Sequence, residues 1–172
     1  MRTITRRQTL ISLLGGMTLL RHAPAAASDE PAGKFEIERT PAEWRKQLTP
    51  QQYYVLREHG TERAFTHPYD KLYDAGLYHC AGCDLPLYSS TTKYDSRTGW
   101  PSFWKPLDNA IGTKEARPLW LMVRTEAHCR RCGGHLGHVF NDGPPPTRLR
   151  YCMNGVAMKF VPGPAGAPER KS

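Results

Sequence analysis

The sequence predicts a mainly β domain of short strands and many turns, opened by two short helices. Three observations point there. Fifteen glycines and fifteen prolines in 172 residues interrupt the chain too often for a helical bundle. From Leu72 onward, short apolar and β-branched runs alternate with glycine, proline and asparagine, the pattern of brief strands. Ahead of that point stand two helix-capping signatures.

Thr40-Pro41-Ala42-Glu43 supplies a capping threonine, a proline at the first helical position and a glutamate three residues after the cap. Thr49-Pro50-Gln51-Gln52 repeats the logic. The first helix is expected to carry Trp44 and Leu48 on one face. The second runs through Tyr53, Tyr54, Val55 and Leu56 and stops near Gly60. Leu77-Tyr78-His79 leads into the first cysteines, Leu119 to Arg124 is a predicted strand, and Leu149 to Val161 holds one or two more. Asp142-Gly143-Pro144-Pro145-Pro146 must be a loop, because three successive prolines cannot serve a central strand. Pro162 to Ser172 is predicted to fray. No stretch reads as a transmembrane span.

Residues 1–27 read as a leader. Thr5-Arg6-Arg7-Gln8-Thr9-Leu10 resembles the twin-arginine export motif, a modest apolar run spans Ile11 to Leu20, and Ala25-Ala26-Ala27 offers a small-residue cleavage site. The mature domain is then 28–172, with its core at about 37–161. The formal charge is +8. Cleavage removes Arg2, Arg6, Arg7 and Arg21 and leaves +4, which does not call for a nucleic-acid partner. The expectation is a monomer, exported folded to the periplasm or beyond, without a stable membrane anchor after processing.

Four of the five cysteines form two C-x-x-C pairs, Cys80/Cys83 and Cys129/Cys132, and Cys152 stands alone. Two residues between cysteines let both thiolates face one ion from a single tight turn. Four thiolates suit tetrahedral zinc and leave no open position for water, so the metal is expected to be structural. Two redox dithiols or two disulfides are the competing readings, and they carry a rival class, a thiol-disulfide oxidoreductase. A second rival is a zinc-ribbon module binding nucleic acid through Arg130, Arg131, Arg148 and Arg150.

Arg148 to Asn154 reads as a strand whose period of two puts Arg150, Cys152 and Asn154 on one face. A guanidinium near the thiol is expected to favour the thiolate. His135 and His138 are three apart and would face opposite ways on a regular strand, unless Gly137 permits a bulge. Together they suit proton donation near neutral pH. A two-histidine metal site is the alternative, with Asp142 as a third ligand. In Tyr94 to Trp104, Gly99 and Pro101 flank Trp100 and fix its pose, as for the wall of an apolar pocket.

In this order, the two C-x-x-C pairs, Thr98-Gly99-Trp100-Pro101-Ser102-Phe103, His135-Leu136-Gly137-His138-Val139-Phe140 and Arg150-Tyr151-Cys152-Met153-Asn154 resemble the R-specific methionine sulfoxide reductase family. Glu43-Trp44-Arg45 and Leu48 through Arg57 add to the likeness, which covers about residues 37–161. The resemblance implies two antiparallel sheets, short N-terminal helices and a four-cysteine zinc site at Cys80, Cys83, Cys129 and Cys132. It implies Cys152 as nucleophile, His138 and His135 serving the sulfoxide oxygen, Asn154 in support and Trp100 receiving the sulfoxide methyl. Phe140 and Arg150 are further candidate substrate contacts. Oxidised proteins and peptides are the implied substrates. Many relatives place a resolving cysteine where this chain has Thr98, so an external, thioredoxin-like thiol is the expected reductant.

Overall fold

The computed structural model describes residues 35–116 and 124–164, all of them within one unit, Gly33–Ser172. The expected leader and the residues up to 34 lie outside the described residues. So do 165–172 and, apart from Arg124, the strand expected over Leu119 to Arg124.

Both capping signatures become helices. In α1 (Pro41–Gln47) the Thr40 hydroxyl accepts from the Glu43 amide, and the Glu43 carboxylate accepts from the Thr40 amide. Thr49 and Gln52 make the same exchange at the start of α2 (Pro50–Glu58). Each box satisfies amides that a helix start leaves orphaned. His59, rather than Gly60, takes the left-handed position that ends α2, at φ 55°. Trp44, Leu48, Val55 and Leu56 are buried, and α2 packs against the strand His135–Phe140 and the turn at Gly155–Ala157.

Among the described residues, nine strands form two antiparallel sheets, in agreement with the expected class. The smaller has the order β2-β1-β9, from Pro86–Ser89, Gly76–Cys80 and Met158–Pro162. The larger has the order β3-β4-β8-β7-β6-β5. Its strands are Lys93–Tyr94, Ser102–Phe103, Arg150–Met153, His135–Phe140, Arg124–Cys129 and Ile111–Ala116. Pro162, expected to fray, instead closes β9 opposite Gly76. It can do so because β9 is an edge strand. The strand expected from Arg148 starts two residues later, since Arg148 sits at φ 61° in the turn that follows the prolines.

The core lies between the sheets and is aromatic. Phe103 stacks on Tyr88 with ring centres 4.3 Å apart and meets Tyr78 edge-on at 5.0 Å. The phenol of Tyr88 donates to the Met153 sulfur at 3.2 Å, and that of Tyr78 donates to the Leu72 carbonyl at 3.0 Å. Both hydroxyls therefore find partners in a setting where an unpaired one would be costly.

The two cysteine knuckles share one backbone design. The amide of the first cysteine donates five residues ahead, from Cys80 to Leu85 and from Cys129 to Gly134. The amide four residues on donates back to that cysteine, from Asp84 and from Gly133. Asp84 and Gly133 both hold positive φ, 62° and 66°. The first knuckle ends β1 in the smaller sheet and the second ends β6 in the larger one.

Candidate functional site

The six strands of the larger sheet each place one residue in a single transverse row. Tyr94 faces Ser102, Ser102 faces Cys152, Cys152 faces His138, His138 faces Glu126, and Glu126 faces Lys114. Residues directly opposite in antiparallel strands share a face, with Cβ atoms about 4.5–5.5 Å apart. The thiol thus has an imidazole on one side and a hydroxyl on the other.

A bulge in β7 adds the second histidine. His128 pairs with His135 and Ala127 with Gly137, which leaves Leu136 as the extra residue. His135 and His138 consequently meet, with ring centres 5.2 Å apart. Gly137 crosses β8 so closely that a side chain there would collide with the Cys152 carbonyl oxygen.

Cys152, His138, Trp100, Phe140 and Asn154 line one cavity of about 230 Å³, with Thr61 and Arg124. His135 and Arg150 are not among its walls. Arg150 is engaged elsewhere: it forms a two-pronged pair with Asp142, both contacts 2.8 Å, and lies 4.3 Å over the Phe140 ring. Asp142, the suggested third metal ligand, is therefore a partner of Arg150, and the carboxylate beside His135 is Glu126. Burial pushes the Cys152 thiol above its ordinary value, and the opposing pull of Arg150, Thr98 and Ser102 does not outweigh it. The expected net stabilisation of the thiolate by Arg150 is thus overridden by desolvation. Burial also lowers His138, reinforced by the neighbouring His135 and Arg124, so His138 is a neutral base at pH 7.

Trp100 owes its pose to a residue that the sequence did not flag. Glu62 accepts the Trp100 indole N–H on its backbone carbonyl at 3.1 Å. Its carboxylate accepts the Gly155 and Val156 amides at 2.7 and 2.9 Å. Its own amide donates to the Asn154 side chain at 2.9 Å, while the Asn154 NH2 group donates to the Leu136 carbonyl at 3.0 Å. Asn154 and Glu62 therefore tie the tryptophan loop, the end of β8 and the bulged strand together. Next to Trp100 in the chain, a side chain at Gly99 (φ 86°) would collide with Phe65.

Thr98 lies beside the thiol, with Oγ1 4.0 Å from the Cys152 sulfur. Ser96 links it onward, 2.8 Å from the Thr98 hydroxyl and 2.7 Å from that of Ser102. On the other side, His59, Glu126 and His135 offer donor atoms within 4.8 Å of one another. Hydrogen-bond contacts of 2.7 Å (His135) and 3.1 Å (His59) to the same Glu126 oxygen account for that convergence.

The four remaining cysteines are free of disulfides and also lie within 4.8 Å of one another. Their sulfurs approach to 3.8 Å (Cys80 to Cys132) and 3.4 Å (Cys83 to Cys129). Sulfurs about 2.3 Å from a tetrahedral zinc would be about 3.8 Å apart, so the arrangement fits such an ion. Hydrogen bonds within the cluster lower the Cys83 and Cys132 thiols and raise Cys80 and Cys129. Only a cation would let all four ionise together. These residues could hold a metal, and none of them lines the Cys152 cavity.

Fold and site define a two-sheet β domain with a four-thiol metal-binding knot and a pocket built around one further cysteine. The SelR domain model matches residues 48–162, and the chain belongs to that family. It is 55% identical over 127 residues to the peptide methionine sulfoxide reductase MsrB of Agrobacterium fabrum, covering 74% of this chain and 94% of that one. The MsrB of Leptospira interrogans is 51% identical, with 73% and 96% covered. The chloroplastic peptide methionine sulfoxide reductase B1 of Arabidopsis thaliana is 52% identical, with 69% of this chain and 58% of that protein covered.

Proposed function

We propose that the chain is a peptide-methionine (R)-S-oxide reductase that uses Cys152 as its nucleophile. One observation carries the mechanism: Cys152, the cysteine outside the thiol cluster, lines the pocket with His138 directly across the strands. The family relation supports methionine sulfoxide as the substrate.

Cys152 attacks the sulfoxide sulfur while its proton passes to His138 and on to the oxygen. The S–O bond breaks as the protonated oxygen leaves as hydroxide, with the two sulfurs joined. Hydroxide then attacks the Cys152 sulfur, the S–S bond breaks with its electron pair going to the methionine sulfur, and Cys152 is left as a sulfenic acid. Cys152 loses the two electrons that the substrate sulfur gains. Trp100 offers a rigid apolar wall for the methyl group, with Phe140 as a second wall. Sulfur over Cys152, oxygen toward His138 and methyl on Trp100 together admit one configuration, assigned as R from the family. His135 and Asn154 support this arrangement.

Zinc held by Cys80, Cys83, Cys129 and Cys132 supplies a closed structural staple. With those thiols ligated and Thr98 beside Cys152, recycling uses an external thiol. One thiol displaces water from the sulfenic acid to give a mixed disulfide, and a second releases Cys152 with a disulfide as product. A thioredoxin-like protein is the reductant proposed.

We place a twin-arginine leader at residues 1–27 and the reductase domain at 28–172. The protein then works as a monomer outside the cytoplasm, repairing oxidised exported proteins, with no nucleic-acid partner and no stable membrane anchor after processing. Folded export would let zinc load before oxidants are met. Convergence of both C-x-x-C pairs on one point favours ligation over dithiol exchange, and the family relation disfavours a nucleic-acid module.

Turnover of R and S methionine sulfoxide with dithiothreitol, beside Cys152→Ser, tests the reading. Consumption of the R form alone, lost in the variant, is expected. A folded, zinc-loaded wild-type protein that leaves both forms untouched would overturn it.

A further inference from the structure

Glu126 occupies the transverse row next to His138, yet it does not line the pocket. It is 8% exposed, a burial that a carboxylate tolerates only with partners. Its partners are two imidazoles. Nδ1 of His135 lies 2.7 Å from one carboxylate oxygen, and Nδ1 of His59 lies 3.1 Å from the same oxygen. His59 is at the surface, whereas His135 is 2% exposed. The other nitrogen of His135, Nε2, is buried without a hydrogen-bond partner. The ring itself packs edge-on against His138.

This arrangement dictates a tautomer. An ionised carboxylate accepts and cannot donate, so Nδ1 of His135 must carry the proton. Nε2 is then the free lone pair. Burial raises the Glu126 carboxyl, but the hydrogen bonds from His135 and His59 outweigh that and keep it ionised at neutral pH. The hydrogen bond to Glu126 in turn raises His59.

We propose that Glu126 is a positioning residue for the reaction, resting on the reductase reading above: it holds His135 as the Nδ1–H tautomer and stabilises positive charge on the histidine pair. The chemistry creates a need for this. The Cys152 proton leaves before the sulfoxide oxygen has fully accepted it, and in the interval it resides on an imidazole. A buried imidazolium is costly without a fixed counter-charge. A carboxylate hydrogen-bonded to the remote nitrogen supplies one and orients the ring, as in the aspartate–histidine pair of serine hydrolases. Glu126 acts through His135 on His138 and never touches the substrate.

Other charges bear on these rings. His128 on β6 faces His135, Arg124 on the same strand faces His138, and Lys114 on β5 faces His59 and His128. Arg57 on α2 faces His59. Arg124 opposes protonation of His138, Arg57 and Lys114 oppose that of His59, and Glu126 is the anion that favours both.

The test combines a spectrum with kinetics. Long-range proton–nitrogen spectra of the wild-type protein should show Nδ1 as the protonated nitrogen of neutral His135. Glu126→Gln should lower kcat at least tenfold with KM within threefold, and should move the limb of the kcat–pH profile that reports the histidines. Glu126→Asp, which keeps the charge, should recover part of the rate. If Glu126→Gln fails to fold, the wild-type spectrum and the Glu126→Asp profile decide. An Nε2–H tautomer for His135, or Glu126→Gln turning over within twofold of wild type on the same pH profile, overturns the proposal. An inactive wild-type protein would sink the reductase reading and leave the tautomer to be read on its own.

Discussion

Cys152 stands between opposing influences. A raised thiol is mostly protonated at pH 7, so its alkylation by iodoacetamide should rise with pH to a midpoint above the ordinary thiol value of about 8.5. A midpoint near pH 6 would mean that Arg150 escapes Asp142 in solution and acts on the thiol. Thr98 makes a second residue-scale prediction. Its hydroxyl is 4.0 Å from the Cys152 sulfur, so Thr98→Cys should trap Cys152 as an internal disulfide after one turnover. Thiol counting by mass checks this, and a persisting Cys152 sulfenic acid in the variant would argue against it. Cys152, His138 and Trp100 were legible in the sequence because each sits in a short motif with its own chemistry. Glu62 and Glu126 were not. Glu62 meets its partners at Trp100, Asn154 and Gly155, far along the chain, and no local periodicity signals such contacts. Arg150 was visible, but the way Asp142 occupies it was not.

At the scale of elements, the bulge in β7 decides whether the site exists. It places His135 and His138 together, and it depends on Gly137 passing beside the β8 backbone. Gly137→Ala should force the strands apart, costing about 1–3 kcal/mol in denaturant unfolding and most of the activity. An alanine variant with wild-type stability and rate would show that the strands can shift without harm. The two helices were legible from their capping boxes, since those signals are local and chemical. Strands β3 and β4, two residues each, are too short to show a period of two. They exist because their partners in the sheet hold them. Pro162 was misread for a related reason: proline argues against a central strand, and nothing local says that β9 lies at an edge.

At the scale of the molecule, the smaller sheet contributes Cys80 and Cys83 and the larger contributes Cys129 and Cys132. A metal there joins the two layers at one corner, while Tyr78, Tyr88 and Phe103 join them through the core. Structural zinc sites carry on the order of 10 kcal/mol of folding free energy. About one zinc per chain is expected, and stripping it with a chelator should lower the melting temperature sharply and broaden the transition. A metal-free protein that melts like the loaded one would reduce the knot to a packing motif. The class of fold followed from composition, and the two-sheet arrangement followed from the resemblance. The convergence of the two knuckles was expected from their spacing and from the resemblance, whereas their attachment to strands of different sheets needed the three-dimensional structure, because the 45 residues between them carry no signal of it.

The transverse row has one more implication. Ser102, Cys152, His138 and Glu126 come from four adjacent strands, and each must sit at its own rung. A slip of one residue in any strand turns its side chain to the opposite face. The row works like the tumblers of a lock, which open only when every one is at the right height. Molecules that fold with a strand misaligned would lack the site, so the thiol meets its imidazole and its pocket only in chains that have finished folding.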